Sequence, residues 1–182
     1  MPYSRARVNS TAISVDEYLH TVYRPDCDYV DGQVIERNVG EFDHSTVQGI
    51  LVGQLREMSR KLHIRVLPEL RMRVSPTRFR IPDICVMLKS QPAEPVLTRP
   101  PFLCIEVVSR DDRMSRVIER VKEYLAFGVN YVWAIDPESR TAYIYTKDDG
   151  REVRDCLTTA NPDTSISVPE LFGEFDELSK SE

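Results

Sequence analysis

Asp83 and Glu106 each stand in the middle of an apolar, strand-forming run, IPDICVM at 81–87 and FLCIEVVS at 102–109. Burying a carboxylate without a partner is costly, so a charge in such a setting calls for a cation, a raised pKa or a metal ion. On adjacent strands the two acids have the chemistry to share one Mg²⁺ or Mn²⁺, a hard ion held through one or two carboxylates and waters. Side chains at i and i+2 of a strand share a face. Asp83 therefore goes with Cys85, and Glu106 with Cys104 and Val108. Three readings of that face are open: a hard-metal site of Asp83, Glu106 and a backbone carbonyl near Val107; a zinc site using the thiols; and structural ion pairs with arginines.

The elements that must position this pair are legible in outline. Ser14-Val15-Asp16-Glu17 has the form of a capping box and predicts a short helix over 15–22. CDYVDGQVIER at 27–37 predicts a hairpin turning at Asp31-Gly32. Val47, Ile50, Leu51, Leu55, Met58 and Leu62 recur with helical spacing, giving an amphipathic helix over 43–62. Residues 64–75 alternate as a strand, a turn at 75–77 leads to the strand holding Asp83, and the proline-rich stretch 89–101 reads as a loop. A helix from Met114 to Leu125 ends at Gly128, and 131–135 and 142–146 form a last strand pair. Beyond 161 the signals weaken to one helical turn at VPELF, 168–172. Strand runs flanked by helices predict an α/β fold around a mixed sheet.

Bulk properties narrow the function classes. At 182 residues, with 41% hydrophobic and 29% charged residues, the expectation is one globular domain spanning 1–182. Within it, a core over about 14–146 is followed by a C-terminal extension, 147–182. No apolar run is long enough to span a bilayer and the N-terminus has no secretion signal, so no membrane partner is expected. Cys27, Cys85, Cys104 and Cys156 are scattered without CxxC spacing, which fits a reduced, cytoplasmic location. A net charge of −5 argues against a generally basic nucleic-acid binder, but leaves room for a local patch. Arg65, Arg71, Arg73, Arg78 and Arg80 form such a concentration just before Asp83, either as a phosphate-contacting surface or as a solvated strand face. The aromatic run Tyr131, Trp133, Tyr143 and Tyr145 could serve a subunit interface or the core.

VDG at 30–32, the helix-opening His44, PD at 82–83, IEVVS at 105–109 and YLAFGVNYVWAIDP at 124–137 occur in an order that resembles the Uma family of restriction-endonuclease-like proteins, within the PD-(D/E)XK nuclease superfamily. The resemblance runs from about Ser14 to Thr146. It implies a restriction-endonuclease-like mixed sheet flanked by helices, with Asp83, Glu106 and the Val107 carbonyl holding Mg²⁺ or Mn²⁺, DNA as substrate and, by analogy, a homodimer. Such an ion would activate a water and neutralise charge on the scissile phosphate. The chain departs from the superfamily pattern where a Lys would share the strand face of Glu106, because Val108 stands there. The resemblance moves the cation to the Arg120 position; Lys122 is the alternative, since Arg neutralises charge but does not act as a base. His44 is implied as a contact to the metal-bound water or a phosphate, or is simply polar in a first helical turn. Asp28 could add an outer carboxylate or be a solvated hairpin acid, and Asp111 and Asp112 read as helix-start acids. A catalytically weak or inactive module that binds nucleic acid or protein is the competing reading.

Overall fold

The computed structural model describes residues 12–37, 41–110 and 112–180. In chain order the elements are α1 (Val15–His20), β1 (Cys27–Val30), β2 (Gln33–Glu36), α2 (Phe42–Met58), β3 (Ile64–Pro68), β4 (Met72–Ser75), β5 (Arg78–Arg80), β6 (Ile84–Leu88), β7 (Leu103–Val107), α3 (Met114–Phe127), β8 (Tyr131–Asp136), β9 (Thr141–Tyr145), β10 (Gly150–Val153), β11 (Cys156–Thr159), β12 (Thr164–Ser167) and α4 (Val168–Ser179). Local signals set several boundaries as expected. Ser14 caps α1 by accepting from the Glu17 amide at 3.0 Å. The hairpin turns on Asp31 (φ 49°) and Gly32 (φ 93°), the positive-φ pair that a two-residue turn between twisted strands requires. Gly128, at φ 109°, closes α3 in the left-handed conformation.

A six-stranded sheet, β10-β9-β8-β7-β6-β3, is the centre of the molecule. Only β7 and β8 run parallel, joined by α3 as a crossover; the remaining pairs are antiparallel. Period-two alternation divides its side chains between two layers. Ile84, Val86, Leu103, Ile105, Trp133 and Ile135 pack with α2 and α4. Cys85, Met87, Cys104, Val132 and Ala134 pack with Val117, Val121 and Tyr124 of α3. A smaller sheet, β2-β1-β5-β4, stands beside it and with α1 encloses Tyr18, Tyr29 and Phe79. This is the mixed α/β architecture that the sequence predicts.

Four details differ from expectation. The 64–75 alternation is not one strand: a turn at Glu69 (φ 52°) sends β3 to the large sheet and β4 to the small one. Asp83 does not lie inside a strand but on the bend just before β6. The tail forms β10, β11, β12 and a helix of 12 residues, α4, rather than one turn. Trp133 is fully buried and Tyr131, Tyr143 and Tyr145 are half-buried, so the aromatic run belongs largely to the core.

Candidate active site

β6 and β7 pair antiparallel with Cys85 opposite Cys104 and Ile84 opposite Ile105. One further step along that register sets Asp83 against Glu106 where the two strands end. Both are nearly inaccessible, at 3% and 2% exposure, and both line a cleft of about 930 Å³.

Each carboxylate is held by partners from several elements. The Asp83 carboxylate takes Arg37 Nη2 at 2.6 Å, the Val107 amide at 2.7 Å and His44 Nε2 at 3.2 Å. Its backbone is fixed as well, because the Asp83 carbonyl accepts from Gln48 Nε2 at 2.9 Å and from the Glu69 amide at 3.1 Å. Glu106 accepts from the Tyr124 hydroxyl at 2.6 Å and forms an ion pair with Arg120 Nε at 2.9 Å. Arg120 also reaches Asp112 at 3.5 Å. Residues at positions 120 and 124 of α3 are one helical turn apart, which is why both point at the same acid.

The two acids are pushed apart in their titration. Burial would raise Asp83, but the His44 hydrogen bond and the charges of His44 and Arg37 hold it below the usual carboxylate range. Burial raises Glu106 to about 7; Arg120 opposes that shift and the nearby Asp83 charge adds to it. Burial lowers His44, and its bond to Asp83 more than restores the charged form. Burial and the Glu106 charge raise Tyr124 well above the usual phenol range, so it is a hydrogen-bond donor.

Of the two candidate cations, Arg120 lies against Glu106, whereas Lys122 is exposed on α3. Val107 lends its amide to Asp83 and lines the cleft. Asp28 is no solvated hairpin acid: it is buried, accepts from the Ile81 amide at 3.1 Å and pairs with Arg80 at 2.9 Å. Asp112 bonds to the Ser109 amide at 3.4 Å ahead of α3, while Asp111 lies outside the described residues. The thiols sit in the apolar layer under α3, where burial raises Cys104 far above its usual range and keeps it protonated. Among the described residues no group of three or more His, Cys, Asp or Glu gathers as a metal cage.

The arginine concentration before Asp83 is engaged within the fold rather than free for phosphate. Arg65 donates to the Gln91 and Lys89 carbonyls, Arg71 lies 4.7 Å from the Tyr18 ring centre, and Arg73 lies 5.8 Å from that of Phe79. Arg78 joins Asp31 to Glu123, and Arg80 joins Asp28 to Glu123. Neither Arg71 nor Arg73 is a partner of the acid pair. That role falls to Arg37 and Arg120, with Tyr124 adding a hydrogen bond. Arg37 appears in the sequence only as the last residue of a hairpin segment, whereas Tyr124 opens the motif run at 124–137 without being marked there as a partner of Glu106.

Paired acids at the ends of adjacent strands in a mixed sheet, with one parallel crossover over α3, define a nuclease-like α/β core. A crystal structure of a putative nuclease belonging to DUF820, from Anabaena variabilis, has the same fold: TM-score 0.79 at 23% identity, covering 90% of this chain and 99% of that one. The chain belongs to the Uma2 family, described as putative restriction endonuclease, whose family model matches residues 15–179. No curated protein matches the chain. Family and fold support a nuclease function in general terms. No helix among the described residues is long and apolar enough to cross a membrane.

Proposed function

We propose that the chain is a metal-dependent endonuclease that hydrolyses DNA phosphodiester bonds, with Asp83 and Glu106 as ligands of Mg²⁺ or Mn²⁺ and the Val107 carbonyl as a third donor. The observation that carries this reading is the acid pair itself, buried at the floor of a cleft and surrounded by Arg37, His44 and Arg120. The donor set fits such an ion. Both side chains offer hard oxygen, and the Asp83 charge helps to raise Glu106, a repulsion that a divalent cation relieves. When bound, the ion supplies a water of lowered pKa and neutralises charge on the scissile phosphate.

The protein's own groups do the rest. Arg120 stabilises negative charge as the phosphate passes through its transition state, a donor already aimed at the site rather than recruited to it. His44, whose charged form its bond to Asp83 favours, is placed to act on a phosphate oxygen or on water. Tyr124 and the Val107 amide fix the two carboxylates so that little reorganisation is needed. Calorimetric titration with Mg²⁺ and Mn²⁺ tests the site: heat of binding is expected for the native chain and not for Asp83→Ala. No binding by either protein would remove the metal from the reading.

A second reading rests on a specific observation. Both carboxylates already have cationic or hydrogen-bonding partners, and Val108 stands where the superfamily carries a Lys. A site neutralised from within suits a weak or inactive module that binds nucleic acid or protein. Cleavage of plasmid, single-stranded and branched DNA in Mn²⁺, against Glu106→Ala, separates the two. Activity above that variant excludes the inactive module. The reading carries with it a cytoplasmic location, in keeping with four free thiols, and a homodimer that cuts both strands, which sedimentation analysis would detect.

A further inference from the structure

The lining of the cleft has two unlike parts. From α3 and its N-terminal approach come Arg113, Arg116 and Arg120, at i, i+3 and i+7 and so on one side, with Asp112 and Glu119 beside them. Arg120 is bound to Glu106 and Asp112. Arg113 and Arg116 are exposed, and neither forms an ion pair among the described residues. From α1, the loop after it and the hairpin come Tyr23 and Ile35, with Glu17, Glu36 and one exposed cation, Arg24. Tyr23 is half-buried and braced by stacking on Tyr18 at 5.6 Å between ring centres; Ile35 is 38% exposed.

We propose that this cleft takes a single-stranded segment of polynucleotide, with its phosphates on Arg113 and Arg116 and its bases against Tyr23 and Ile35. The inference rests on the acid-pair reading of the same cleft and names the form of the substrate. Grooves for single strands combine a cationic track for the backbone with aromatic surface for the bases, and these are the two parts present. A duplex carries phosphates along both strands, and the second strand would meet Glu17 and Glu36, both exposed. Size acts in the same direction. At about 930 Å³ the cleft is on the scale of a small-molecule site, roughly 300–1,000 Å³, and not of a double helix. The acids, at 3% and 2% exposure, are reached by a flexible strand that enters the cleft more readily than by a rigid duplex lying over it.

The test is binding, measured without cleavage. Fluorescence anisotropy in EDTA compares a short labelled DNA strand, its duplex and the matching RNA strand on the full chain. Single strands are expected to bind at least about tenfold tighter than the duplex. The double variant Arg113→Ala/Arg116→Ala, whose changes are on exposed side chains, is expected to lose that affinity. It should also lower the slope of log affinity against log salt by about 1.4, roughly 0.7 for each released phosphate contact. Tyr23→Leu, checked by thermal unfolding for an intact fold, should weaken single strands more than duplex. The tighter of the DNA and RNA strands names the source. Equal or tighter duplex binding, or a double variant that binds strands like the native chain, overturns the inference. Its failure is distinct from failure of the nuclease reading: strand binding without Mn²⁺-dependent cleavage sinks only the latter, and duplex cleavage without strand preference sinks only the former.

Discussion

Burial raises Glu106, while two α3 side chains, Arg120 and Tyr124, work against it, and each makes a measurable contribution. Tyr124→Phe removes one hydrogen bond to a buried carboxyl group and is expected to cost about 1–2 kcal/mol in urea unfolding. Arg120→Ala leaves the carboxylate buried without its cation and should cost about 3–5 kcal/mol, with partial recovery in Arg120→Lys. In Mn²⁺-dependent cleavage, Arg120→Ala is expected to fall by at least about tenfold, the scale of one charged transition-state contact, whereas Lys122→Ala stays within about twofold. A loss in Lys122→Ala as large as in Arg120→Ala would return the role to Lys122. Of the residues that reach Asp83 across the fold, His44 was marked in the sequence by its motif position, whereas Arg37 carried no such signal. Arg37 is separated from Asp83 by 46 positions, and no local spacing rule connects them.

At the scale of elements, Arg80 is the clasp between the small sheet and α3. It is 5% exposed and joins Asp28 of β1 to Glu123 of α3, beside Arg78 on the same acid. Arg80→Ala would leave the buried Asp28 without its cation and Glu123 with Arg78 alone, and about 3–5 kcal/mol of stability should be lost. The pH dependence has a defined sign. Burial would raise Glu123, but Arg80 and Arg78 hold it below its ordinary 4.5. A carboxylate lowered in the folded state adds stability that is complete above the unfolded value and is lost as pH falls through the folded one. Urea unfolding of the native chain should therefore weaken below about pH 4.5, and Glu123→Gln should flatten that fall. No flattening would mean that other acids dominate the window. The ends of α1, β1–β2 and α3 were legible because capping serine, Asp-Gly turn and αL glycine act locally. The break at Glu69 was not, because the alternation of 64–75 continues unaltered while the backbone changes sheets.

The large core joins residues as distant as Val47 and Phe175, with Leu171 and Phe172 of α4 packed in the same layer as α2. We propose that the region after 146 is part of one cooperative unit. Leu171→Ala should cost about 2–5 kcal/mol, and a chain ending at Thr146 should lose its cooperative thermal transition. A sharp transition in the shortened chain would define the tail as an appendage. The strength of α4 is easily underestimated from sequence, since Gly173 lowers its helix propensity while its apolar face, Val168, Leu171, Phe172 and Phe175, needs α2 as a partner. By itself the sequence determined most of the strands up to Tyr145, the helix α3 and the two candidate acids, because periodicity, caps and turns are set by near neighbours. Tertiary structure alone decided which cations answer those acids, that the arginines before Asp83 are tied to carbonyls, rings and carboxylates of the fold, and that Arg113 and Arg116 face the cleft. Such pairings join residues far apart in the chain, and only the packing of the sheets and helices brings them within hydrogen-bonding reach.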